Sequence, residues 1–123
     1  MKTIAISFAT LLLFAFMPTD SLTGRWESQP SVNGNVTGVV FKTDKSFEGY
    51  VNKKPFVSGT YSYSAEDSVF TLQDNGCNGL TGTYQIIFFS NADSMRFVAI
   101  DDDCEGRRNG MESLIMGRVN KEQ

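Results

Sequence analysis

Val57-Ser58-Gly59-Thr60-Tyr61-Ser62-Tyr63-Ser64 decides the fold. Val57, Gly59, Tyr61 and Tyr63 share one parity, and the hydroxyl-bearing Ser58, Thr60, Ser62 and Ser64 share the other. Successive side chains of a strand point to opposite faces, so this segment makes a half-buried strand with one aromatic and one hydrated face. Gly82-x-Tyr84-x-Ile86-x-Phe88 repeats the pattern, with Ile87 and Phe89 making the second face apolar as well. Phe47-x-Gly49-x-Val51, Phe70-x-Leu72 and Met95-x-Phe97-x-Ala99 fit the same inward register.

Working outward, the alternation predicts eight strands: Thr23–Ser28, Asn35–Lys42, Ser46–Val51, Val57–Ser64, Ser68–Asp74, Thr81–Ser90, Ser94–Asp101 and Glu112–Val119. Short turn signals separate them, at Thr43-Asp44-Lys45, Asn52 to Pro55, Ala65-Glu66-Asp67 and Asn91-Ala92-Asp93. Asp74-Asn75-Gly76 with Asn78-Gly79 is read as a further turn, or as a polar rim over a barrel mouth. Strands joined this tightly pair with their sequence neighbours, which favours an up-and-down antiparallel order. Eight such strands can close into a barrel and remove both exposed edges. Gly38, Gly49, Gly59 and Gly82 fall inside strands and are expected at bends. Outside the N-terminal segment no stretch carries a helical period.

Composition agrees with a folded all-β domain. Hydrophobic residues make up 41% and charged residues 20%, and ten Phe and four Tyr favour strands. The formal net charge is -3 and the basic residues are scattered, which argues against nucleic-acid binding. Lys53-Lys54 and Arg107-Arg108 are the only adjacent basic pairs among the positions after the first twenty, and both are read as solvated loop charge. The chain has no histidine, which excludes Ser-His-Asp and Cys-His catalysis and His-ligated zinc or haem.

Residues 1–21 read as a signal peptide. Lys2 precedes an apolar run from Ile4 to Met17, and Pro18-Thr19-Asp20-Ser21 ends it. The run is short for a membrane span, so no stable span is expected once it is removed. Residues 22–120 then form a single domain, secreted or periplasmic. In that oxidising setting Cys77 and Cys104 are expected to form one disulfide, the rival being a redox or metal-binding thiol pair.

Gly24-Arg25-Trp26 opens the first strand and Arg118 lies near the end of the last. On these residues the chain resembles the lipocalin-like (calycin) group, in particular the compact lipocalin-like domains of exported bacterial proteins. The resemblance implies that Gly24 and Trp26 begin the barrel and that Arg118 packs across the indole to close its base, a cation–π contact. Asp74-Asn75-Gly76-Cys77 and Asp103-Cys104 match an Asp-x-x-Cys and an Asp-Cys that recur in that branch. The chain departs from typical lipocalins in its short length, its lack of a long loop over the mouth, and its lack of a recognisable helix before the last strand. The resemblance implies a fold rather than an activity.

Four groups of residues are candidates for function. Tyr61, Tyr63, Phe70, Tyr84, Phe88, Met95 and Phe97 point inward and are expected to line a ligand cavity or to fill the interior themselves. Asp101-Asp102-Asp103-Cys104-Glu105 is read as a solvated acidic loop partly neutralised by Arg107 and Arg108, with oxygen-ligated calcium as the rival. Carboxylate pairs for acid–base chemistry would have to face each other across a cleft, and nothing places them so; no catalytic residues and no cofactor are expected. Ile87, Phe89 and Ile100 are expected on the outer wall, where apolar side chains mark contacts. The leading expectation is a small hydrophobic ligand, and the alternative is a protein-interaction or inhibitor module.

Overall fold

The computed structural model of the protein describes residues 22–119. The expected leader, residues 1–21, and residue 120 of the expected domain lie outside the described residues.

Eight strands run β1 Gly24–Ser28, β2 Thr37–Phe41, β3 Ser46–Val51, β4 Lys54–Ser64, β5 Val69–Asp74, β6 Thr81–Phe89, β7 Ser94–Asp101 and β8 Ile115–Arg118. Each pairs antiparallel with its sequence neighbour, and β8 returns to β1 to close the barrel. This is the expected up-and-down, eight-stranded antiparallel barrel with one disulfide, Cys77–Cys104. Tight connections enforce the order. In the β3–β4 hairpin Asn52 and Lys53 both have positive φ, 52° and 73°, the handedness that two-residue hairpins need. Pro55, expected in that turn, lies within β4 opposite Tyr50, next to a register shift at Gly49/Tyr50.

The barrel has a sealed end and an open end. At the sealed end Trp26 lies opposite Arg118 across the β1–β8 seam, and the guanidinium carbon stands 4.3 Å from the indole centroid. The indole Nε1 donates to Leu22 O at 2.9 Å, and Arg118 donates to Thr23 O and Ala92 O. Trp26, Leu22 and Met95 are fully buried there, with Phe88 6.1 Å from the indole. Above this layer Phe41, Tyr61, Phe70 and Phe97 interlock, with Phe41–Tyr61 centroids 4.9 Å apart and nearly edge-on.

One element departs from the expected pattern. A helix, α1 Glu105–Glu112, precedes the last strand and shortens it to four residues, so β7 pairs with β8 only over Ser94–Arg96. The Glu112 carboxylate accepts from Ala99 N–H at 2.8 Å, supplying a partner for backbone that β8 is too short to reach. In the Glu-Gly-Arg-Arg-Asn-Gly-Met-Glu sequence of α1 Met111 is the one large apolar side chain, so no apolar stripe betrays it.

The in-strand glycines create space as well as bends. Register shifts fall beside Gly49 and at Thr83/Tyr84, beside Gly82. Gly38 faces Tyr50 on the outer wall, where the Tyr50 ring occupies the place a Cβ would take. That ring is held by its hydroxyl, which donates to Glu27 at 2.6 Å and accepts from Arg25 at 3.1 Å. Burial first, then the bond to Glu27, raises the Tyr50 phenol above its ordinary pKa.

Candidate functional site

A cavity of about 780 Å³ occupies the open end of the barrel. Its floor is the upper side of the interior aromatic layer, with Phe41, Phe47, Phe70, Phe97 and Met116. Val39, Val57 and Leu72 continue it up the strands, and Met111 and Leu114 contribute from the helical side. The inward aromatics therefore do two things. At the sealed end they fill the barrel, and towards the open end they line a hollow of the size that accepts drug-sized ligands.

Of the seven residues expected to line a cavity, the structure brings Phe70 and Phe97 to this one. Tyr84 and Met95 are fully buried in the packed interior, and Tyr61 is buried with its hydroxyl donating to Lys42 O at 2.9 Å. Tyr63 and Phe88 are half-buried and pack edge-on against each other, with Phe88 also 6.1 Å from the Trp26 indole. None of these five is in the cavity wall. The residues that sequence reasoning missed include the strand residues Val39, Phe41, Phe47 and Leu72 and, from α1, Gly106, Arg107, Gly110 and Met111.

Helix α1 is positioned by polar and covalent ties. Cys104, at its N-cap, is bonded to Cys77 in the short 3₁₀ turn Cys77–Gly79 between β5 and β6, with the two Cα atoms 5.7 Å apart. Arg107 grips Asp102 with two parallel bonds of 2.8 Å, from Nε and Nη2, the fork geometry that suits a carboxylate. Its Nη1 reaches Asp74 Oδ2 at 3.3 Å and Nη2 also donates to Leu80 O at 3.0 Å. The side chains of Arg107, Asp74 and Asp102 are only 7%, 6% and 0% exposed. Asp102 further accepts from the Tyr84 hydroxyl and the Cys104 N–H. Gly82 makes this packing feasible, since a Cβ there would stand 2.7 Å from Asp102 Oδ2 and 2.9 Å from Arg107 Nη2.

These contacts lock each group into one charge state. Burial alone would raise the Asp102 carboxyl, but the bonds from Arg107, Tyr84 and the Cys104 N–H outweigh it and hold the group at about 2. For Tyr84, burial and then the bond to Asp102 push the phenol well above its usual range. The bond to Asp102 also raises Arg107, against the opposing effect of burial. The result is a fixed carboxylate, a fixed guanidinium and a neutral phenol. Among the described residues no buried side-chain nitrogen or oxygen lacks a partner.

Three sequence expectations are corrected here. Arg107 is not solvated loop charge but the buried centre of this network. Arg108, expected as solvated loop charge, is half-buried and donates to Asp102 O at 2.8 Å. Asp102 is not part of a solvated acidic loop, although Asp101 and Asp103 on either side of it are exposed. Adjacent residues in extended backbone face opposite ways, so the three aspartates diverge. Among the described residues no group of three or more His, Cys, Asp or Glu is placed to hold a metal ion, and no helix is long and apolar enough to cross a membrane. Ile87, Phe89 and Ile100 lie exposed on the outer wall, as their register predicts, with Ile115 beside them on β8; Phe56, also exposed, borders the cavity.

No protein-family model matches the sequence, and no curated protein matches it. Among solved structures, the fold is similar to the NMR structure of the protein from Bacteroides uniformis ATCC 8492. That similarity has a TM-score of 0.55 at 22% sequence identity, and it covers 82% of this chain and 91% of the other. At that identity the likeness concerns the fold.

Proposed function

We propose that this protein binds one small apolar or amphipathic molecule in the cavity at the open end of its barrel, outside the cytoplasm and without catalysing its conversion. The observation that carries the reading is the hollow of about 780 Å³ with an aromatic floor, in a barrel whose other end is filled solid. Burying ~200 Å² of apolar ligand surface contributes roughly 5 kcal/mol before the costs of binding. Micromolar affinity therefore also needs polar contacts at the rim. A non-catalytic role is supported by the state of the titratable groups in the wall, Asp74 and Arg107, which are engaged with each other and with Asp102. Export is supported by the disulfide and by the leader-like segment at residues 1–21. Membership of the lipocalin-like group is supported by the placement of Arg118 over Trp26 and by the closed eight-stranded order.

The test is titration with N-phenyl-1-naphthylamine, an uncharged probe that fluoresces in apolar surroundings. Saturable enhancement with one probe per chain, reversed by a competing apolar molecule, is the expected result. Absence of saturable enhancement refutes the reading.

A second reading uses the outer wall. Ile87 lies opposite Arg96, and Arg96 opposite Ile115, so two exposed apolar residues flank one arginine across β6, β7 and β8, with Phe89 alongside. Such a patch suits a protein partner. Replacing Ile87 and Phe89 with Ser is expected to abolish capture of that partner while the barrel stays folded. Unfolding of the variant removes the reading.

A further inference from the structure

The cavity wall also constrains the charge of its occupant. Its charged side chains are Asp74 and Arg107, and both are committed elsewhere. Arg107 directs Nε and Nη2 at Asp102, Nη1 at Asp74 and Nη2 also at Leu80 O. Asp74 accepts from Arg107 through Oδ2 and from Gly76 N–H through Oδ1. Behind the wall the carboxylates of Asp74 and Asp102 face Arg107, and Arg108, which does not line the cavity, donates to Asp102 O at 2.8 Å, so the cluster balances its own charges and turns no spare cation towards the hollow. Lys53 and Lys54, in the hairpin at the same end of the barrel, are exposed and do not line the cavity. The other polar side chains of the wall, Thr37, Asn75 and Ser113, are neutral donors and acceptors.

An anionic headgroup entering this space would exchange its hydration for neutral dipoles beside a cluster with no cation to spare for it. An uncharged headgroup would meet hydroxyls and an amide that match it. Burying a charge without a partner is costly, whereas a hydroxyl needs only a hydrogen bond. Resting on the cavity reading above, we infer that the occupant is an uncharged amphiphile, such as a medium-chain alcohol, ester or amide, and that the site discriminates against fatty-acid carboxylates.

The experiment displaces bound N-phenyl-1-naphthylamine with decan-1-ol or with decanoate, each below the concentration at which it aggregates, at about pH 8 where the carboxylate is fully ionised. The alcohol is expected to compete at least ~10-fold more tightly than the carboxylate. Ser113→Lys places a free cation at the rim, on an exposed position just after α1 where a positive charge suits the helix terminus. That variant is expected to narrow the preference or reverse it. A preference below ~10-fold in the unaltered protein, or a Ser113→Lys variant that leaves it unchanged, overturns the inference while the cavity reading stands. Failure of both molecules to displace the probe overturns both together.

Discussion

Gly110→Leu tests whether the hollow is where the ligand sits. Gly110 belongs to the cavity wall, and a Cβ built on it meets no atom within 4 Å. Its φ is outside the positive range, so a branched side chain adds no backbone strain. A leucine there brings four carbons into space that a ligand would otherwise fill. If they displace about four ligand methylenes at ~0.8 kcal/mol each, the loss is about 3 kcal/mol, or roughly 100-fold in Kd. Stability moves the other way. Replacing glycine within a helix gains up to about 1 kcal/mol, and about half of that is expected near the end of α1. The assay pairs N-phenyl-1-naphthylamine titration with urea unfolding followed by the fluorescence of Trp26, the one tryptophan of the chain. Weak binding in a protein at least as stable as the parent is the expected result. Unaltered affinity refutes the placement of the ligand, and destabilisation beyond ~1 kcal/mol refutes the vacancy above Gly110.

Other parts of the structure make equally specific predictions. Asp102→Asn leaves Arg107 with Asp74 as its one carboxylate and is expected to cost about 3 kcal/mol, read from the urea midpoint. The Asp102 carboxyl is held at about 2 in the folded protein against an ordinary 3.8, so its stabilising effect is complete above about pH 4 and lost as pH falls towards 2. That loss is about 2 kcal/mol, and a urea series between pH 5 and 2 should show it in the parent and lack it in Asp102→Asn. Replacing Cys77 and Cys104 with Ser together should lower stability by about 3 kcal/mol by the loop-entropy relation, and a change under ~1 kcal/mol would show that the bridge constrains little. Arg118→Ala removes the guanidinium over Trp26 together with its bonds to Thr23 O and Ala92 O, and about 2 kcal/mol should go with it; an unchanged midpoint would mean that the seam holds without it.

The legible part of this protein was the part written as alternation. Tyr61 and Tyr63 against Ser62 and Ser64 put β4 half in the core, and the β6 and β7 alternations did the same for Tyr84, Ile86, Met95 and Phe97. A two-residue period determines which face is inward regardless of what lies across the barrel, so strand identity and face needed no tertiary information. Turn residues bounded those strands, and their short spacing determined the order.

What stayed illegible depends on groups distant in sequence. Helix α1 has two glycines and no apolar stripe, and it is held by a disulfide at its N-cap, by Arg107 and by Glu112. None of those ties leaves a periodic trace, so the acidic and basic residues at 101–108 read as solvated. The division of the aromatics into a filled end and a hollow end was likewise hidden, because inward direction is local while depth is set by where every other strand begins and stops. By itself the sequence determined an all-β chain with strands, faces and neighbours in order. Only the tertiary structure decided that α1 forms, that Arg107 is buried, and that Phe70 and Phe97, but not Tyr84, border open space, because burial and vacancy are properties of the whole packed arrangement.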